Sequence, residues 1–190
     1  MSKRWIIWLL IGQFFLSIGF SQSYQQQDRL LDLTGHPKTA GSLFLDSGLR
    51  VFIFLDPECP LCQNYSILLN QLNKRYAPSA EFVGIIPGSR VKVSAIEDFR
   101  KKYHISFRLY RDISIQFSRK LGATVTPEVI VMKNGKIIYM GLIDDGMVDL
   151  GIKRASVRHK FLNDALECNL STEVLVIPFT RPIGCVINNF

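Results

Sequence analysis

The feature that most limits the fold of this chain is a buried strand that runs directly into a closely spaced cysteine pair. Val51 to Leu55 is an uninterrupted β-branched and aromatic run, which is typical of a strand buried on both faces of a sheet. Pro60 suits the first turn of a helix, where its missing N–H costs nothing. Cys59 and Cys62 are therefore predicted between the carboxyl end of a strand and the amino end of a helix, where open α/β sheets bind and react.

The apolar patterns along the rest of the chain predict a mixed sheet with helices on both faces. The predicted elements, in chain order, are a strand over 51–55, a helix over 61–76, a strand over 81–86, a helix over 93–104, a short strand over 107–110, a short helix over 113–121, hairpin strands over 129–132 and 136–140, and a helix over 158–170. Asn134-Gly135 is the strongest turn signal, because this dipeptide between apolar runs favours a tight hairpin. A βαβ unit followed by an antiparallel ββα unit defines an α/β fold, and right-handed crossover limits its arrangement.

The first residues have the pattern of an export signal. Lys3 and Arg4 precede an uncharged run that ends in small residues around Ser21. The run, of about 16 residues, is short for a membrane span and slightly long for a signal core, so an uncleaved anchor through residues 5–20 is the alternative to a signal peptide over 1–21. Both interpretations predict an exported protein in the periplasm or cell envelope.

The remainder divides into a linker over 22–41, one domain over 42–170 and an extended tail over 171–190. The linker begins glutamine-rich and then carries glycine and proline, which predict loop rather than regular structure. A short strand at 42–45 is expected to open the domain. Roughly 170 residues after the leader are enough for a sizeable core without disulfide staples.

Net charge and cysteine number narrow the class of protein. The formal charge of +7 would suit attraction to nucleic acid or acidic lipid headgroups, but the cations form short pairs rather than one block. Without a recognition helix, zinc finger or RNA-binding signature, they predict a solvated basic surface and no nucleic acid partner. Four cysteines are too few for a disulfide scaffold in a chain of this length, so the C-x-x-C pair carries most of the information.

A C-x-x-C pair can be a redox pair, half of a zinc site or a haem attachment site. Zinc would need two further ligands at suitable spacing, and the remaining cysteine and histidine residues are scattered. A c-type haem would need histidine where Gln63 stands. We therefore predict a redox pair, with no metal and no cofactor apart from its own disulfide.

The predicted position of the pair assigns a role to each thiol. The free N–H groups and partial positive charge of a helix terminus stabilise a thiolate, which makes Cys59 the expected nucleophile and the more exposed thiol. Cys62, one turn inward, would be the resolving thiol that releases a mixed disulfide. The neighbouring carboxylate of Glu58 opposes thiolate formation, which favours a less oxidising pair.

Three segments together resemble the thioredoxin-like superfamily, within it the exported redoxin or peroxiredoxin-like branch. They are Phe54-Leu-Asp-Pro-Glu-Cys-Pro-Leu-Cys62, Gly122-Ala-Thr-Val-Thr-Pro127 and Gly141-Leu-Ile-Asp-Asp145. The resemblance covers about residues 43–170 and implies a three-layer sandwich around a central mixed sheet. It also implies a cis peptide at Thr126-Pro127, where a backbone edge beside the cysteines would grip an extended peptide. The ending Gly184-Cys-Val-Ile187 is similar to a tail found in that branch.

The chain departs from that superfamily at several positions. Thioredoxins place tryptophan before the first cysteine and Gly-Pro between the two, whereas this chain has Glu58 and Pro60-Leu61. Ile53 replaces the buried aspartate of thioredoxin, so no general base for the second thiol is assigned. Phe52 and Asp56 replace the proline and threonine of the peroxiredoxin pattern, which argues against a conventional peroxidase site.

The leading hypothesis is a thiol-disulfide oxidoreductase that exchanges disulfides with protein thiols and an unidentified redox partner. The alternatives are a thiol-dependent peroxidase, a copper(I) metallochaperone that binds through Cys59 and Cys62, and a binding module with a structural disulfide. Cys168 is expected to be a buried small side chain at the end of the last helix. Cys185 either pairs with Cys168 or folds back as a third redox thiol.

Overall fold

The computed structural model describes residues 29–39, 48–149, 151–171 and 177–187. The predicted signal peptide or anchor and the predicted strand at 42–45 lie outside these ranges. Among the helices that are described, none has the combination of length and apolar character that crossing a bilayer requires.

Regular structure follows the predicted order closely, with additional short strands. The elements are β1 Arg29–Leu31, β2 Pro37–Thr39, β3 Leu49–Phe54, α1 Pro60–Tyr76, β4 Ala80–Pro87, α2 Val93–Lys102, β5 Arg108–Asp112, α3 Gln116–Leu121, β6 Val125–Thr126, β7 Glu128–Lys133, β8 Lys136–Gly141, β9 Met147–Asp149, β10 Ile152–Lys153, α4 Phe161–Leu170 and β11 Cys185–Val186.

A seven-stranded mixed sheet forms the centre, with the strand order β2-β1-β5-β4-β3-β7-β8. Strands β3, β4 and β5 are parallel, and β7 and β8 extend the sheet as an antiparallel hairpin. Strand β3, which leads to the cysteine pair, lies inside the sheet between β4 and β7. This position explains why its sequence is apolar throughout.

The residues of β3 alternate between two cores, one on each face of the sheet. Val51 and Ile53 pack in the core that contains the buried residues of α1, α2 and α4. Phe52 and Phe54 pack on the opposite face with Phe117 of α3. The predicted arrangement, a mixed sheet with helices on both faces, is confirmed.

The predicted linker over 22–41 is wrong for its described part, because β1 and β2 lie there and join the central sheet. Strand β1 pairs with β5 at Leu31 and Arg111, and Leu30 is fully buried in the α3-side core. Strands of three residues with at most one buried side chain are too short to show an alternating pattern. The sequence therefore contained too little periodicity to identify them.

The last helix begins at Phe161, three residues later than the prediction of 158. The backbone N–H groups of Arg158 and His159 donate hydrogen bonds to the Asp145 carboxylate, at 2.8 and 3.1 Å. These bonds satisfy the two amides outside the helix and fix the chain that enters α4.

Candidate active site

Helix α1 begins where the cysteine pair begins, as predicted. Cys59 is the N-cap residue with an extended backbone, and Pro60 occupies the first turn. The Cys59 N–H donates to the Asp56 carbonyl at 3.0 Å, and its carbonyl accepts from Gln63 N–H at 3.2 Å. The Gln63 side-chain amide also donates to the Pro57 carbonyl at 2.8 Å. These hydrogen bonds fix the loop of residues 56–59 against the first turn of α1.

Cys59 is joined by a disulfide to Cys185 in the tail. Of the two alternatives for Cys185, pairing with Cys168 is wrong, since Cys168 is a free thiol near the end of α4. Cys168 is also partly exposed rather than buried. The tail continues past α4 and brings Cys185 to the start of α1, with the two bonded Cα atoms 6.2 Å apart.

The tail also changes the expected accessibility of the nucleophile. Cys59, at 2%, is slightly more exposed than Cys62, at 0%, but in this disulfide form Cys59 is itself buried. The physical reason is that Cys185 covers its sulfur on one side while the helix and the Thr126 carbonyl, 3.2 Å from that sulfur, enclose it on others. Cys185 itself is partly exposed.

Cys62 is a free and fully buried thiol one helical turn inward from Cys59. Its sulfur accepts a hydrogen bond from the Asp56 N–H at 3.3 Å. Burial raises the pKa of Cys62 to about 12, an effect that the Asp56 amide opposes and the Asp56 carboxylate charge reinforces. Cys62 is therefore a protonated thiol at neutral pH.

The loop opposite the cysteines contains the predicted cis peptide at Thr126–Pro127. The carboxylate of Glu128, which follows directly, holds this loop by accepting hydrogen bonds from the backbone N–H groups of Thr124 and Val125, at 2.8 and 3.3 Å. Glu128 is buried, and the loss of solvation raises its pKa. Sequence analysis missed this support for the loop.

Strand β11 of the tail pairs with β6 of this loop in antiparallel register, with Cys185 opposite Thr126. The pairing extends to Ile187, whose N–H donates to the Thr124 carbonyl at 3.0 Å. At Gly184 the tail lies so close that a Cβ would collide with the carbonyl group of Thr126. The backbone edge that the family resemblance implied is thus covered by the chain's own tail.

The acidic residue beside the nucleophile is balanced by a cation that sequence analysis did not single out. Arg90 lies 3.7 Å from the carboxylates of both Asp56 and Glu58. It follows β4, whose carboxyl end lies beside that of β3 in the parallel pair. The rule that reactive groups collect at adjoining strand ends was the available signal for Arg90.

A cleft of about 100 Å³ lies beside Arg90. Its lining includes Asp56, Arg90, Thr126, Val186 and Ile187, so side chains from the site and from the tail share it. In the described parts of the chain, histidine, cysteine, aspartate and glutamate side chains form no group of three that could hold a metal ion. The copper(I) hypothesis rests on the cysteine pair alone and stays a prediction.

The chain is similar to known proteins both in its sequence family and in its fold. The chain matches the Redoxin family over residues 27–149. Its structure is similar to a hypothetical protein of Sinorhizobium meliloti, with a TM-score of 0.70 and 21% identity over 87% of this chain and 93% of that one. It is also similar to a secreted disulfide oxidoreductase of Mycobacterium tuberculosis homologous to E. coli DsbE, with a TM-score of 0.51 and 26% identity over 58% and 80% of the two chains.

A third similar structure is a thiol:disulfide interchange protein of the thioredoxin family from Chlorobium tepidum. Its TM-score is 0.54, with 17% identity over 75% of this chain and 92% of that one. No curated protein matches the sequence. These similarities confirm the predicted thioredoxin-like fold and the resemblance to its redoxin branch.

Proposed function

The chain belongs to the Redoxin family, and on that basis we propose that it is an exported thiol-disulfide oxidoreductase acting on protein substrates. The observation that carries the proposal is the disulfide of Cys59 at the start of α1, with the free thiol of Cys62 one turn below and the cis Thr126–Pro127 peptide opposite. The signal pattern of residues 1–21 and the secreted relative of M. tuberculosis support the exported location.

In this proposal Cys59 is the catalytic nucleophile. Its thiolate, stabilised by the terminus of α1, attacks one sulfur of a substrate disulfide. The second substrate sulfur leaves as a thiolate and takes a proton from solvent, and a mixed disulfide remains on Cys59. Pro60 and the Thr126–Pro127 loop are positioning residues, because they fix the helix start and the backbone edge beside Cys59.

Cys62 completes the exchange. Its thiolate attacks the Cys59 sulfur, the substrate is released with two added electrons, and a Cys59–Cys62 disulfide is formed. The substrate is reduced and the pair is oxidised; the reverse sequence oxidises a substrate dithiol. Cys62 loses its proton to solvent before this attack, and the Asp56 N–H, which donates to the Cys62 sulfur, stabilises the thiolate that results.

Cys185 has the role of a third redox thiol. Its bond to Cys59 is chemically equivalent to a mixed disulfide with a substrate cysteine. Attack by Cys62 on Cys59 would break this bond, form Cys59–Cys62 and release Cys185 as a thiolate that takes up a proton. No external oxidant or reductant is needed, because one disulfide replaces another.

Substitution of the nucleophile tests the proposal. We expect Cys59→Ser to abolish both the reduction of insulin disulfides and the oxidation of a dithiol peptide, because no mixed disulfide can form. Cys168→Ser is the matched control, since Cys168 is a free thiol outside the site, and it should retain full activity. Activity of the Cys59→Ser protein at the control level would refute the proposal.

Two further assays on the unmodified protein separate the alternatives. Peroxide consumption in a coupled assay that exceeds disulfide exchange would favour the peroxidase. Stoichiometric copper(I) binding through Cys59 and Cys62, read from thiolate absorption, without exchange activity would favour the metallochaperone.

A further inference from the structure

The chain's own tail reveals which extended segments the β6 edge accepts. We infer that this edge is a binding site for an extended segment in which glycine precedes cysteine, and that Gly184-Cys185 fills it as an internal substrate. The inference rests on the proposed function, because it treats the Cys59–Cys185 disulfide as an intramolecular counterpart of a substrate mixed disulfide.

Backbone pairing fixes the register of the bound segment. Cys185 lies opposite Thr126 and Val186 lies opposite Val125 in the antiparallel ladder. Main-chain hydrogen bonds of this kind hold an added strand independently of its side chains. The ladder places the sulfur of the bound cysteine against the sulfur of Cys59, with the Thr126 carbonyl 3.2 Å from the latter.

The position before the bound cysteine leaves no space for a side chain. A Cβ at Gly184 would collide with the carbonyl group of Thr126 and would press against the nitrogen of Pro127. The backbone φ of Gly184 is outside the positive range, so an L-residue can adopt the local conformation. The requirement for glycine is therefore steric and is imposed by the binding edge. A cysteine preceded by a larger residue cannot occupy the same register.

A second attachment holds the tail near the site when the disulfide opens. The Thr180 N–H donates to the Met140 carbonyl at 3.0 Å, and the Met140 N–H donates to the Pro178 carbonyl at 3.1 Å. The Thr180 hydroxyl also accepts from the Leu142 N–H at 2.8 Å. These bonds involve Met140 of β8 and Leu142 rather than the cysteines, and they keep the Gly184-Cys185 segment at a high local concentration. An external segment must compete with it.

The test compares two peptides on a chain that has Cys59 as its sole reactive thiol. The full chain carries Cys62→Ser, Cys168→Ser and Cys185→Ser, together with Gly184→Ala so that its own tail does not occupy the edge. One peptide has the sequence of residues 181–187, with its cysteine bonded to thionitrobenzoate, and the other has alanine in place of the glycine. Cys59 attacks the peptide sulfur, the peptide stays on Cys59 and thionitrobenzoate is released, which gives the rate optically.

Each rate is divided by the rate at which the same peptide reacts with glutathione. We expect the glycine peptide to react at least about tenfold faster than the alanine peptide after this normalisation, because the collision at Thr126 is large for a packed contact. Equal normalised rates would overturn the inference and leave the proposed function intact. Failure of Cys59 to react with either peptide and with a small aromatic disulfide would instead overturn both.

A second measurement uses the native chain with a single substitution and therefore does not depend on the peptides. In a glutathione buffer, Gly184→Ala should lower the fraction of Cys59–Cys185 disulfide and increase alkylation of Cys59 at least severalfold. Gly48→Ala is the matched control, because a Cβ at Gly48 meets no atom within 4 Å. Unchanged disulfide and alkylation in Gly184→Ala, at the level of the control, would contradict the steric requirement.

Discussion

Cys59 and Cys62 share one helical turn, yet their surroundings differ in ways that decide their chemistry. Cys59 caps the helix and its sulfur faces the tail and the Thr126 carbonyl. Cys62 is buried against Asp56, and the loss of solvation raises its pKa to about 12. At neutral pH the thiolate of Cys62 is thus scarce, which makes its attack on Cys59 the step that depends most on pH.

The raised pKa of Cys62 predicts how the rate of tail release from the oxidised protein changes with pH. Between pH 6 and pH 9 all pH values lie below the pKa, so the thiolate fraction and the release rate should rise by about tenfold per pH unit. Release is measured without reductant, as alkylation of Cys185 quantified by peptide mapping.

Cys62→Ser is the control for this measurement, because it removes the attacking thiol and should leave Cys185 bonded at every pH. A release rate that does not change with pH, or that persists in Cys62→Ser, would show that Cys62 does not resolve the disulfide.

At the scale of elements, the terminus of α1 and the loop before it act on Cys59 in opposite directions. The helix terminus favours the thiolate, whereas Glu58 and Asp56 oppose it and Arg90 offsets both carboxylates. The side chains of Glu58 and Arg90 are mostly exposed, so their effects should be modest and should weaken with added salt.

Removal of one of these charges should therefore change the pKa of Cys59 in a predictable direction. In the reduced protein, Glu58→Gln should lower the pKa of Cys59 because a nearby negative charge is lost. The measurement is the rate of reaction with iodoacetamide as a function of pH. Arg90→Gln is the matched variant and should raise the same pKa; an unchanged or raised pKa in Glu58→Gln would refute the electrostatic account.

The elements that were predicted from the sequence are those with strong local signals. Strand β3, helix α1 and the β7–β8 hairpin each have a continuous apolar run, a helical spacing or an Asn-Gly turn. Strands β1 and β2 were missed because three residues cannot establish a period. The pairing of β11 with β6 was missed because a register between distant segments depends on the whole fold.

The same contrast between local and long-range signals applies to the candidate site. The cysteine pair and the cis Thr126–Pro127 peptide were found because motif spacing and family resemblance are local in the chain. Arg90 and Glu128 act through neighbours that only the folded sheet brings together. The partner of Cys185 could not be chosen from sequence, since cysteine connectivity depends on the path of the tail.

At the scale of the whole molecule, the Cys59–Cys185 disulfide connects residues separated by 126 positions. The bond fixes the tail over the candidate site, and the hydrogen bonds of Thr180 to β8 hold the tail at a second place. The redox state of three thiols therefore determines whether the β6 edge is filled by the tail or free for a substrate.

Peptide mapping across a redox titration tests this account most directly. The protein is equilibrated with glutathione buffers of stepwise potential, quenched with acid, alkylated and mapped without reduction. The account predicts one transition in which Cys59 becomes disulfide-bonded to Cys185 or Cys62 while Cys168 stays a free thiol. A Cys59 that remains a free thiol at every potential, or a disulfide between Cys168 and Cys185, would contradict it.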